Sequence, residues 1–314
     1  MSDIAVPTSG QQHEIRFGDY TAVIASIGAS LRVLTHRGRD LVVPFAADEV
    51  RPGFRGAMLA PWPNRIVDGT YEFGGVEYQV ALTEPERRNA LHGLVGWLDF
   101  QAVDEGESHV VLAGEIVPQV GYPFRILVVV RFDLTEQGLT TEVTASNLGD
   151  LAAPFGTGPH PYLVAGEGRA DDWSLELPAT EVLTVTADRL APISVVDVVD
   201  HADGALDFRE TRPIGDVFID HAFTALLPDE HGLARVRVLT ADGSGVEMEW
   251  GDDCPWVQVH TADRPIPSEH RIGLAVEPMT CPPDAFNSGV DLITIEPGES
   301  TTAGWIIRAV NPEV

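Results

Sequence analysis

The chain of 314 residues carries 48 Asp and Glu against 20 Lys and Arg, a formal net charge of -28. That balance argues against a nucleic-acid or acidic-membrane partner, which would need a basic face to neutralise phosphates. It favours a neutral or cationic ligand, although acidity also simply keeps a protein in solution.

With 44% hydrophobic residues the chain can bury a large core without staples, and β-sandwiches run past ~200 residues as one unit, so a single domain over 1–314 is expected. The first fourteen residues, MSDIAVPTSGQQHE, lack a basic n-region and an apolar core, so they read as a flexible N-terminal segment and not as a signal peptide. Strand patterns follow at 20–24 and in a hairpin over 71–80, whose Gly74-Gly75 can take the positive φ angles of a two-residue turn. Residues 124–134 and 139–146 continue the series. Within the first of these, 126–130 is the longest aliphatic run, far short of the ~18 residues of a membrane span.

Further strands are expected at 174–177, 233–239, 246–250, 256–260, 292–295 and 305–310; in 233–239, Ala234, Val236 and Val238 alternate with Arg235 and Arg237. Turn clusters such as 136–138, 147–150, 241–244 and 296–298 separate them, and no stretch of a dozen residues holds a helical stripe. The pattern is that of an all-β protein, a large antiparallel β-sandwich. Cys254 and Cys281, each beside a proline, make neither a metal motif nor a disulfide framework and read as free thiols of a cytoplasmic protein.

Five segments place polar residues where an alternating strand protein would put core: 61–69, 89–97, 155–163, 218–223 and 275–287, with a weaker sixth at 256–261. Asn64-Arg65 follows two prolines, so the guanidinium either meets a hydroxylated ligand in a fixed plane or closes its own turn on carbonyls. His92 precedes Gly93, which would admit a ligand or another backbone. His160 lies between Pro159 and Pro161, which restrict the backbone on both sides and aim the ring. Asp220-His221 interrupts an apolar run, and Glu277 ends the apolar run 272–276 before Pro278. A carboxylate buried there must be paired or its pKa must rise. No H-x-H, H-x-x-x-H or H-E-x-x-H spacing supports a metal, and no G-x-S-x-G elbow supports a serine hydrolase.

In this order the segments resemble the aldose 1-epimerase (galactose mutarotase) family from about residue 15 to the C-terminus. The resemblance is carried by Asn64-Arg65-Ile66, His92-Gly93, His160-Pro161-Tyr162, Asp220-His221, Gln258 within WVQVHT, and Glu277 with Pro283-Asp284-Ala285. It implies a galactose mutarotase-like supersandwich and no metal or other cofactor. Glu277 would be the general base on the anomeric hydroxyl and His160 the acid on the ring oxygen. Arg65, His92, Asp220 and Gln258, with Asn64, would grip sugar hydroxyls, and Tyr162 would line the site. The sequence departs from the family pattern in Pro-Met-Thr-Cys-Pro after Glu277 and in His260, where an aromatic residue is common.

The function expected is therefore anomer exchange on a free aldohexose such as glucose or galactose, by a monomer or homodimer whose partner is a small sugar. A hexose-6-phosphate 1-epimerase, which would call for an Arg/Lys cluster where the motif segments offer only Arg65, with Arg87-Arg88 just before His92, and a non-catalytic sugar-binding protein are the alternatives.

Overall fold

The computed structural model describes residues 6–311. Its strands pair antiparallel in three main sheets. The largest has nine strands in the order Gln101–Glu105, His109–Ile116, Ile126–Thr135, Gly138–Asn147, Ser300–Val310, Gly245–Trp250, Ala234–Leu239, Ser174–Glu176 and Arg212–Pro213. A six-stranded sheet runs Tyr162–Leu163, Leu274–Met279, Trp256–His260, Asp220–Leu226, Ala179–Val185 and Pro192–Asp197, and a four-stranded one covers Gln12–Phe17 to Arg39–Asp40. Among the described residues the α-helix Ala285–Ser288 is a single turn.

Alternation explains the large sheet. Ile126, Val128, Val130, Phe132 and Leu134 are buried on one face of their strand, and Leu139, Val143 and Ala145 continue that face on the next. On the opposite face of Gly245–Trp250, Glu247 and Glu249 are also buried, and they are covered by Arg235, Arg237 and Arg308. Pairing offsets the desolvation of these carboxylates. The Gly74-Gly75 turn has φ of 61° and 77° between strands Thr70–Phe73 and Val76–Gln79, as its sequence predicts.

Several strands are longer than expected or were not expected. Ser300–Val310 begins five residues before the pattern at 305, and His109–Ile116, Ala179–Val185 and Pro192–Asp197 appear where charged, Thr or Pro residues obscure the period. The flexible segment expected over 1–14 is corrected from residue 6 onward. Ser9 is buried and its hydroxyl donates to the Ala47 carbonyl at 2.8 Å, while Gln12–Phe17 pairs with Tyr20–Ala25 around the buried Ile15. Residues 1–5 lie outside the described residues.

What matters for the site is the register of the six-stranded sheet. Ala222 pairs with Gln258 and Gln258 with Glu277, while Asp220 pairs with His260 and His260 with Ala275. Directly paired residues point to the same face, and so do residues two apart along a strand. Asp220, Gln258, His260 and Glu277 therefore share one face. The alternate residues Val257, Val259 and Val276 face the core.

Candidate active site

Over that face opens a cleft of about 630 Å³. Its opposite walls come from two other regions of the chain. Arg65 starts strand Arg65–Val67, which pairs with Asn89–Leu91, and the His92 N–H donates to the Asn64 carbonyl at 2.7 Å. Asn64 and His92 both have positive φ, 56° and 61°, and both line the cleft. Gly93 has φ 71° and abuts the Ala60 carbonyl so closely that a Cβ would collide with it, so glycine is required there for the backbone and not for a ligand. His160 is tied at both backbone groups: its N–H donates to Ala57 at 3.0 Å and its carbonyl accepts from Gly56 at 2.8 Å.

Asn64, Arg65, His92, His160, Tyr162, Asp220, Gln258 and Glu277 all line this one cleft. His160 Nε2 lies 3.5 Å from Glu277 Oε1, and Gln258 Nε2 donates to Asp220 Oδ1 at 2.8 Å. The His160 ring stacks on Tyr162 with centroids 5.2 Å apart and meets His92 edge-on at 5.0 Å. His92 Nδ1, His160 Nδ1, His260 Nδ1 and Glu277 Oε2 are buried atoms without a protein hydrogen-bond partner. Such atoms are costly unless a ligand or solvent meets them.

Arg65 is held by three contacts. Its Nε and Nη2 donate to the two oxygens of Glu84 at 2.8 and 3.1 Å, and its Nη1 to Asn64 Oδ1 at 3.3 Å. Of five N–H groups, this fork leaves two for a ligand. Asp284, in the Pro-Asp-Ala element, supports the same strand from behind: its N–H donates to the Arg65 carbonyl at 2.7 Å and its Oδ1 accepts from the Val67 N–H at 2.9 Å. Glu277 is 1% exposed and His160 5%. Burial pushes the Glu277 carboxyl well above the ordinary range, helped by Asp220 and opposed by Arg65. Burial also pushes the His160 imidazole down to about 3, with His260 adding to the effect, and His92 is lowered in the same way by burial and by His160. In this solvent-poor setting burial works toward a neutral carboxyl beside a neutral imidazole.

The sequence reading did not name Glu84, Phe54, Arg51 or Arg264. Glu84 sits in the mixed-charge stretch Thr83-Glu84-Pro85-Glu86-Arg87-Arg88, and nothing local marks it as the partner of a residue 19 positions away. Phe54 follows Arg51, a guanidinium only 4% exposed, which donates to the Ile27 and Gly96 carbonyls and to Ser30 Oγ and lies 4.6 Å from the Trp97 ring centroid. Phe54 in turn packs on His92 with centroids 4.7 Å apart and stacks on His160 at 6.4 Å. Among the described residues no group of three His, Cys, Asp or Glu side chains is placed to hold a metal ion.

The antiparallel sheets, with a carboxyl and an imidazole paired over one sheet face, define a fold of the galactose mutarotase type. The sequence profile of the aldose 1-epimerase family matches residues 11–308, and the chain belongs to that family. It is similar to the uncharacterized protein YihR of Escherichia coli K12, with 37% identity over 93% of this chain and 91% of the relative. In fold it resembles the GalM/aldose epimerase homologue of C. elegans, with a TM-score of 0.83 and 19% identity over 96% of this chain and all of the other. It also resembles galactose 1-epimerase of Lactobacillus acidophilus NCFM, with a TM-score of 0.77 and 17% identity over 98% and 97% of the two chains. No helix among the described residues is long and apolar enough to cross a membrane.

Proposed function

We propose that this cleft interconverts the α and β anomers of an aldohexose, with Glu277 exchanging a proton with the C1 hydroxyl and His160 exchanging one with the ring oxygen. The observation that carries this reading is the 3.5 Å separation of His160 and Glu277, since one hemiacetal can bridge two groups so placed. Ring opening starts from carboxylate and imidazolium. Glu277 takes the hydroxyl proton, the O1–C1 bond becomes a carbonyl, the bond from C1 to the ring oxygen breaks, and that oxygen takes the proton of His160. The protein is then left with a neutral carboxyl and a neutral imidazole, the distribution that burial favours. Ring opening therefore needs no proton from solvent, and the open-chain state is reached with the site's charges discharged. Rotation about C1–C2 and the reverse transfers give the other anomer.

The binding side chains keep the rest of the sugar still while C1 turns: Arg65 with its two remaining N–H groups, Asn64, His92, Asp220 and Gln258, with Tyr162 under the ring. Saturation-transfer or exchange NMR on freshly dissolved α-glucose and α-galactose tests the reading. Protein-dependent exchange between anomers is expected; sugar binding without exchange would mark a binding protein instead. The buried free thiols Cys254 and Cys281 fit a reducing, cytoplasmic setting.

A further inference from the structure

Resting on the anomer exchange proposed above, we propose that the sugar taken by this site carries an anionic oxyanion group on the carbon beyond C5, received by Arg264 and Arg55. All 20 basic residues of the chain are arginines, and acids outnumber them more than twofold. Most of these guanidinium groups are neutralised by a carboxylate. In and around the cleft this holds for Arg65 and Arg87, both on Glu84, and for Arg271 on Asp263. Arg264 and Arg55 differ. Among the described residues neither meets a carboxylate, and the Arg264 fork reaches only the Tyr162 hydroxyl, at 3.4 Å. Both cations bear on that hydroxyl, drawing its pKa down against the burial that pushes it up to about 12.

The two arginines stand at one end of the site. The main cleft and an adjoining cavity of about 270 Å³ share Gly53, Tyr162 and Arg264, and Arg55 lines the second cavity. The acids nearby are mostly spoken for. Glu84 and Asp263 are paired with arginines, Asp220 accepts from Gln258, and burial favours the protonated form of Glu277. Glu269 also lines the second cavity and, like Arg264, is exposed, but among the described residues no ion pair joins it to either arginine.

The order of groups points to the part of the sugar that arrives there. Glu277 is 3.5 Å from His160, His160 stacks on Tyr162 at 5.2 Å, and Tyr162 touches Arg264. In a pyranose the ring oxygen separates C1 from C5. With Glu277 at the C1 hydroxyl and His160 at the ring oxygen, C5 and its substituent project toward Tyr162 and the unpaired guanidinium groups. A planar fork of N–H donors suits a phosphate, sulfate or carboxylate, whereas a neutral hydroxymethyl group would bring the two guanidinium groups no opposite charge.

Exchange NMR on the full chain with D-glucose, D-glucose 6-phosphate, D-glucose 6-sulfate and D-glucuronate tests this. At least one charged sugar is expected to show kcat/KM at least about tenfold above glucose, the worth of one charge-assisted hydrogen bond, and to lose that advantage as salt is raised. R264Q, alone and with R55Q, should collapse the ratio of charged to neutral turnover, and the preferred charged sugar identifies the oxyanion. Glucose turned over as fast as every charged sugar, or an undiminished ratio in the double variant, would overturn the inference while leaving mutarotation standing. Acceleration of no sugar at all would overturn the mutarotase reading itself.

Discussion

Replacing Glu277 with Gln keeps the shape of the side chain and the pairing of its strand with Trp256–His260, but removes the only function proposed for the group, the exchange of a proton. General base catalysis is worth on the order of 10² to 10⁴-fold, or about 2.7 to 5.4 kcal/mol of barrier at ~1.36 kcal/mol per decade. Anomer exchange should fall by that factor, while the sugar still binds. Stability should move the other way. A carboxyl whose pKa is raised on folding makes the native state less stable as pH climbs from its unfolded value through the folded one, because the native state must then lose a proton that burial retains. Each unit of elevation costs about 1.4 kcal/mol above the folded pKa. E277Q escapes that cost, so its melting temperature should exceed the wild type's at pH 7 to 8 and the gap should narrow toward pH 4. The assays are exchange NMR and thermal unfolding on the same preparations. Exchange within a few-fold of wild type would remove Glu277 from the mechanism, and a lower melting temperature at pH 8 would show that the carboxylate is stabilised by contacts and not strained by burial.

Three further outcomes follow from the same geometry. E84Q should free Arg65 from its two-point carboxylate anchor, raising KM several-fold with a smaller change in kcat, as read in saturation kinetics. G93A places a methyl against the Ala60 carbonyl at a φ of 71° and should lower the free energy of urea unfolding by more than about 1 kcal/mol, with loss of activity only in proportion to unfolding. His160 has a folded pKa lowered to about 3. Unfolding takes up a proton there between that value and the ordinary one near ~6.5, so stability should fall as pH drops through this window. H160Q should flatten that part of the melting curve.

The strand content was legible where apolar residues alternate without interruption, as in residues 234–239 and 256–260. It was obscure in Pro192–Asp197 and in Gln12–Phe17, where only Ile15 of six residues is fully buried and the period has almost nothing to show. The cleft was legible through anomalies. Glu277 at the end of an apolar run and His160 between two prolines stand out because a strand has no ordinary use for either. Glu84 and Arg264 are charged residues in charged, proline-rich loops. Their importance comes from what the fold sets opposite them, the Arg65 guanidinium for Glu84 and, among the described residues, no carboxylate for Arg264, and that is information about distance in space. Asp284 shows a different limit. Its motif marked the right place, but its work is to hold the Arg65 strand rather than to meet the ligand.

The cleft draws its side chains from positions as far apart as Gly53 and Glu277, joined through antiparallel pairings of segments distant in sequence. Contacts of that kind form late and together, because the loops between them must close first. Regaining activity after dilution from denaturant would then report completion of the whole sandwich. A fragment ending before Glu277 would lack both the proposed base and the second half of the strand that joins Tyr162–Leu163 to Trp256–His260.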